Sequence, residues 1–190
     1  MARLHADELA ISADLVWRLL RSSFPDLAEL PIRATGESGS SNSLYRLGDS
    51  LAVRLPRQPG GGAAITKEAA WLPYVASRVT VKVPDLVGIG APGFGYDEVW
   101  AVTSWLDGTV PRVRLQGAEA VALAQDLARF ILDLRDMAMP SNALEDAALL
   151  TYRGAPLSGF DTDFRELVDA CRALELDLDL GRALQCWKQL

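Results

Sequence analysis

The sequence predicts an α+β fold, in which an antiparallel sheet of about five strands with accompanying helices is followed by helices alone. Segments 43–47 and 51–55 are rich in strand-forming residues, and the tight-turn sequence Gly48-Asp49-Ser50 joins them into a predicted hairpin. Two more strands are predicted at 83–90 and 98–106. After Asp107-Gly108 the apolar residues change to helical spacing.

The first half of the chain also contains predicted helices. Ser12 is a good N-cap for a first helix, and Pro25 should stop it. A short strand is predicted at 32–35. A second helix should begin at about Ala63, and Pro73 should kink or end it.

The second half is predicted to be helical, with helices at 117–138 and 160–175 and a third from Leu180. We therefore expect two domains, residues 1–107 and 108–190. The helices carry apolar stripes that must face something, and the chain stops inside such a pattern. We expect exposed apolar surface that favours self-association or a partner chain.

Composition narrows the class of protein. The 190 residues carry a net charge of −6, which argues against nucleic acid as the main partner because phosphate binding depends on Lys and Arg. The two cysteines, Cys171 and Cys186, are interpreted as buried thiols of a reducing compartment. There is no signal-peptide-like start and no apolar run approaching about 18 residues, so we expect a cytoplasmic protein that makes no membrane contact.

The central strand places a cation on the face away from the core. Side chains alternate along a strand, so Arg54 should point opposite to Val53 and Leu55, where Glu68 of the next helix could pair with it. The alternative is an exposed Arg and a solvated Glu. Loop 36–42 could hold phosphate through backbone N–H groups, or be only a flexible connection. It matches neither GxGxxG nor GxxxxGK[ST].

Several blocks, in order, resemble the aminoglycoside phosphotransferase family. The similar residues are Gly39-Ser40-Ser41-Asn42-Ser43-Leu44-Tyr45-Arg46-Leu47-Gly48, Leu51-Ala52-Val53-Arg54-Leu55-Pro56-Arg57, Lys67-Glu68-Ala69-Ala70-Trp71-Leu72-Pro73, Trp100-Ala101-Val102-Thr103-Ser104-Trp105-Leu106-Asp107-Gly108 and Tyr152-Arg153-Gly154-Ala155-Pro156-Leu157. With the helix that reaches Trp187, the resemblance covers nearly the whole chain.

The resemblance implies a protein-kinase-like fold, with ATP between a five-stranded N-lobe and a helical C-lobe. Arg54 then takes the place of the strand lysine that pairs with phosphate, and Glu68 that of its helix partner. The nucleotide-positioning loop and the hinge that meets adenine would include Ser40, Ser41, Asn42, Ser104, Trp105 and Leu106. The parent activity would be ATP- and magnesium-dependent phosphorylation of a hydroxyl on a small polar molecule.

The family's His-Gly-Asp-x-x-x-x-Asn loop and its later Asp-Phe-Gly-like turn are not found, so the C-lobe is expected to be incomplete. The only histidine is His5, and Asp133, Asp136 and Asp161 are interpreted as solvated helix faces and caps. No catalytic or metal-binding residue is assigned, and this chain alone is expected to be inactive. Three hypotheses remain: the N-terminal part of a phosphotransferase, a non-catalytic nucleotide-binding or protein-interaction module, and one half of a split kinase.

Overall fold

The computed structural model describes residues 6–35, 39–108, 116–151, 155–174 and 177–189. His5, residues 36–38 of the predicted loop 36–42 and segment 152–154, all named in the sequence analysis, lie outside these residues. The chain divides into two compact units, Met1–Ala138 and Met139–Leu190, which are described separately. The lobe boundary at residues 107 and 108 stays a prediction.

The first unit is built on a five-stranded antiparallel sheet with the order β1-β2-β3-β5-β4. Its strands are β1 (Ile32–Ala34), β2 (Asn42–Leu47), β3 (Leu51–Pro56), β4 (Leu86–Gly90) and β5 (Trp100–Ser104). The predicted hairpin is confirmed as β2 and β3. The turn between them requires the left-handed conformation of Gly48, whose φ is +58°. The α+β class and the strand number are also confirmed.

Helix α1 (Ala13–Ser23) covers one face of the sheet and creates the main core. The Ser12 hydroxyl oxygen accepts a hydrogen bond from the Leu15 N–H at 3.2 Å, which confirms the predicted N-cap. The apolar stripe of α1 is fully buried against sheet residues that include Val53, Leu55 and Trp100. Because Val53 and Leu55 point to this core, the pleat turns the intervening Arg54 to the opposite face.

Helix α2 (Gly62–Ala76) contacts β3, β4 and β5 and contains Pro73. The alternative that Pro73 ends the helix is therefore wrong. Proline removes one backbone donor, but a further turn forms beyond it, in which the Ser77 N–H donates to the Pro73 carbonyl at 3.3 Å. The Tyr74 hydroxyl also donates to the Ala138 carbonyl, which fixes this last turn.

Helix α3 (Gly117–Asp136) exposes its apolar stripe within the first unit. None of its residues is buried, and Val121, Leu127 and Ile131 are each more than half exposed. The expectation of exposed apolar surface is thus met in this helix. In the described part of the chain, no helix combines the length and the apolar character needed to span a membrane.

The carboxylate of Asp133 joins α3 to the segment that follows α2, so its interpretation as simply solvated is incomplete. Its Oδ2 accepts from the Thr80 N–H at 2.8 Å and from the Thr80 hydroxyl at 2.7 Å. These hydrogen bonds hold the pKa of Asp133 below its usual range. Asp136 pairs with the neighbouring Arg135 at 2.9 Å.

The second unit contains α4 (Asp161–Ala173) and α5 (Leu180–Trp187). The Phe164 and Trp187 rings stack with centroids 4.3 Å apart. Asp161 accepts a hydrogen bond from the Trp187 indole N–H at 2.9 Å and pairs with Arg165 at 2.7 Å. Both hydrogen bonds lower the pKa of Asp161, and the one from Arg165 has the larger effect. Asp161 therefore has a structural role in joining the two helices.

The two cysteines only partly match their interpretation. Both are free thiols, but Cys171 is half-buried and Cys186 is exposed. Cys186 lies on α5, none of whose described residues is buried, so helical apolar spacing there does not correspond to a core position.

Candidate nucleotide site

A shallow hollow opens between the small-residue loop and β3. It has a volume of about 300 Å³ and is lined by Gly39, Ser40, Ser41, Asn42, Leu44 and Arg54. The antiparallel register explains this grouping, because Leu44 of β2 lies directly opposite Arg54 of β3, while Asn42 lies opposite Pro56. The structure thus brings together four of the predicted site residues.

Arg54 and Glu68 form a bidentate pair at this hollow. Arg54 Nη1 donates to Glu68 Oε2 at 2.5 Å, and Nη2 donates to Oε1 at 3.3 Å. The Arg54 side chain is 24% exposed and that of Glu68 is 42% exposed. This fork fixes the plane of the guanidinium and leaves other N–H groups on Arg54 for an anion. The alternative of an exposed Arg and an unpaired, solvated Glu does not hold.

Glu98, which the sequence analysis missed, positions α2 from outside the helix. Its Oε1 accepts from the Gly60 N–H and its Oε2 accepts from the Gly62 N–H, both at 2.7 Å. Helix α2 has no side-chain cap of its own, so Glu98 satisfies donors at its N-terminus. No local pattern could reveal this, because Glu98 lies 36 and 38 residues beyond these glycines.

The predicted hinge residues begin with Ser104, the last residue of β5, and lie outside the lining of the hollow. Ser104 is opposite Leu51, three residues before Arg54 on β3, which corresponds to roughly 10 Å along the strand. The Ser104 N–H donates to the Asp85 carbonyl, and the Trp105 N–H donates to the Ser50 carbonyl, each at 2.8 Å. These two donors are occupied, and among the described residues the Leu106 N–H has no such partner.

The residues at the hollow have the chemistry of an anion site, and the described residues offer no metal centre. Within the described ranges, no group of three or more His, Cys, Asp or Glu side chains could hold a metal ion. The available groups are a cation fixed by a carboxylate and a loop of small residues. This combination fits electrostatic binding of phosphate, and the Glu68 carboxylate is engaged by Arg54 rather than placed to take a proton.

The sheet order and the Arg–Glu pair between its third strand and the following helix define the N-lobe of a protein-kinase-like fold. Residues 34–190 match the sequence model of the phosphotransferase enzyme family, APH. The chain therefore belongs to this family, as the resemblance implied. A search of curated proteins finds no match.

Three solved structures of aminoglycoside phosphotransferases are similar to this chain. The GDP complex of wild-type aminoglycoside 2'-phosphotransferase-IIIa has a TM-score of 0.63 at 22% identity and covers 94% of this chain and 59% of its own. The GDP and kanamycin complex of APH(2")-IIIa has a TM-score of 0.64 at 21% identity, and the match covers 88% of this chain and 54% of that one. The gentamicin complex of APH(2")-IIa has a TM-score of 0.61 at 15% identity, and the match covers 95% of this chain and 57% of that one.

This chain spans little more than half the length of those three proteins. At these identities the likeness establishes the fold. The kinase-like class and the partial extent of the match are both confirmed.

Proposed function

We propose that this chain forms the nucleotide lobe of a phosphotransferase that transfers phosphate from ATP to a hydroxyl of a small polar molecule. The observation that carries this proposal is the bidentate Arg54–Glu68 pair at the hollow beside loop residues 39–42. An oriented guanidinium binds phosphate oxygens through charge-assisted hydrogen bonds.

The nucleotide would lie along β3. Its phosphates would meet Arg54, Ser40, Ser41 and Asn42, and its base would approach the backbone at Ser104, Trp105 and Leu106. The Leu106 N–H is the donor best suited to the base, because the N–H groups of Ser104 and Trp105 already bind other carbonyls. Relatives solved with GDP or with ATP support a purine nucleotide without choosing between the two bases.

We also propose that the chain alone does not complete the transfer. Its 190 residues contain no His-Gly-Asp-x-x-x-x-Asn sequence, and the described residues offer no cluster that would hold magnesium. Magnesium would therefore reach this lobe with the nucleotide. The acceptor is proposed to be an aminoglycoside-like or other polar hydroxyl compound, because relatives were solved with kanamycin, gentamicin and streptomycin.

Calorimetry on the 190-residue chain tests nucleotide binding. Titration with MgATP, and separately with MgGTP, should give a dissociation constant in the region of about 1 mM or tighter. Arg54→Ala should weaken binding about tenfold or more, because it removes the charged donor. Arg33→Ala is the control, since Arg33 is an exposed cation on β1. Absence of heat with both nucleotides, or equal affinity in Arg54→Ala, would overturn the proposal.

The exposed apolar stripe of α3 indicates that another polypeptide segment packs on the helical region. We propose that further polypeptide covers this surface, because the exposed Leu127, Ile131 and Leu134 lie on one side of α3 and form an apolar face of a kind that monomers rarely expose. Light scattering after size exclusion should show self-association of the chain. Replacing these three residues with serine should restore a monomer, whereas a monomeric unmodified chain would count against this proposal.

A further inference from the structure

Arg57 lies directly after β3, three residues beyond Arg54, and is almost fully buried. Its side chain is 10% exposed, which is unusual for an arginine. The sequence resemblance included this residue without giving it a role. Its contacts reach two separate segments of the chain.

The first segment is the loop that lines the hollow. Arg57 Nε donates to the Gly39 carbonyl at 3.2 Å, and the Arg57 backbone N–H donates to the Ser41 carbonyl at 2.9 Å. The loop itself is exposed at residues 39–41 and consists of small side chains that bury no apolar surface. The two hydrogen bonds to Arg57 therefore contribute to holding the backbone of residues 39–41 in place.

The second segment precedes α1. The Leu9 N–H donates to the Arg57 carbonyl at 2.7 Å, and Glu8 Oε1 lies 3.5 Å from Arg57 Nη1. The Glu8 side chain is only 9% exposed, so the pair is largely screened from water. Next to it, Gln58 Nε2 donates to Asp7 Oδ1 at 2.8 Å. Residues 7–9 are thus fastened to the end of β3.

We propose that Arg57 is a positioning residue for the nucleotide loop, and that Glu8 holds its guanidinium in place. This inference rests on the proposed function. The buried guanidinium contacts the Glu8 carboxylate and also donates to the Gly39 carbonyl, so its rigid plane connects residues 7–9 to the loop. Loop residues 39–42 and the segment before α1 are ordered together.

Two substitutions test this coupling on the 190-residue chain. Arg57→Lys keeps the charge and loses the Nε–H donor, and Glu8→Gln weakens the anchor without touching the loop. The matched control is Arg33→Lys, at an exposed position on β1. Amide ¹⁵N relaxation reports order parameters at residues 40–42, and hydrogen exchange of the buried α1 amides reports whether the core is intact.

In Arg57→Lys the loop order parameters should fall from about 0.85 to below about 0.6, with α1 protection and the control unchanged. MgATP or MgGTP affinity should fall about fivefold to tenfold, as expected for loss of one ordering hydrogen bond. Unchanged loop order parameters with an intact α1 would overturn the inference. If Arg57→Lys loses the hydrogen-exchange protection of α1, the test passes to Glu8→Gln. In that variant, unchanged loop order parameters with α1 intact would overturn the inference, and lowered loop order parameters with α1 intact would support it.

The two proposals fail in different ways. If the unmodified chain binds neither nucleotide, the proposed function fails, while the relaxation data still decide whether Arg57 orders the loop. If nucleotide binds and Arg57→Lys leaves both loop order and affinity unchanged, the site stands and the role of Arg57 is wrong.

Discussion

Glu98 holds the N-terminus of α2, and removing its carboxylate should destabilise the first unit by an amount that the structure sets. Glu98→Ala deletes two charge-assisted hydrogen bonds, to the Gly60 and Gly62 N–H groups, each 2.7 Å long. Gly62 also packs closely against the chain that carries Glu98, because a Cβ added at Gly62 would lie 2.9 Å from the Val99 nitrogen.

The expected loss follows from these two contacts. A hydrogen bond to a charged group contributes about 1.5–3 kcal/mol, and a helix cap about 0.5–2 kcal/mol. Glu98 is half-buried, and water can rehydrate the freed donors, so both contacts belong at the low end of these ranges. We expect a fall of about 2–3 kcal/mol in the free energy of unfolding, or about 5–10 °C in Tm for a chain of this length.

Urea unfolding followed by tryptophan fluorescence measures this loss, since four of the five tryptophans lie in the first unit. Asp97→Ala is the control, because Asp97 is the neighbouring acid and is exposed, and it should change stability by less than about 0.5 kcal/mol. Glu98→Gln should lower the free energy of unfolding by an intermediate amount, because the amide retains one acceptor oxygen. Equal stability of Glu98→Ala and Asp97→Ala would refute the capping argument.

Three further predictions follow from other contacts. A double-mutant cycle on Arg54→Ala and Glu68→Ala should give a coupling energy of about 1 kcal/mol, since Glu68 is 42% exposed, and zero coupling would contradict the pair. Burial, and secondarily Glu98, raises the pKa of Tyr96 above 10.0, so stability present below pH 10 should fall as pH rises further, by up to about 1.4 kcal/mol per pH unit. Tyr96→Phe should flatten that slope in alkaline unfolding curves, and an unchanged slope would count against it. Gly90→Ala should destabilise by more than about 3 kcal/mol in urea unfolding, because its Cβ would lie 2.0 Å from the buried Trp100 ring; a wild-type midpoint would show that the ring can move.

The elements that the sequence predicted well are those with a strong local cause. The Ser12 cap, the α1 stripe and the hairpin turn at Gly48 each depend on residues within a few positions of one another. The Arg54–Glu68 pair could also be predicted from the sequence, because the strand pleat fixes the direction of Arg54 and its partner lies on the next helix.

Contacts between segments that are far apart along the chain could not be predicted from the sequence. Glu98 and Gly60 are 38 residues apart, and Glu8 and Arg57 are 49 apart, so neither pair leaves a periodic or spacing signal. Asp133 was interpreted as a solvated helix residue because the sequence does not show that Thr80 lies beside it. Pro73 likewise permits a kink or a stop, and the surroundings of the last turn of α2 decide between them.

The sequence by itself determined the order of strands and helices along the chain and the face of β3 on which Arg54 lies, because side-chain periodicity and local turn chemistry act over a few residues. The phosphotransferase family was indicated by the resemblance of several sequence blocks, and the match to the family model over residues 34–190 shows it. Only the tertiary structure decided how that site is held. The glycines that begin α2 meet Glu98, and the nucleotide loop meets Arg57, because the packing of the sheet brings together hydrogen-bonding groups that are far apart along the chain.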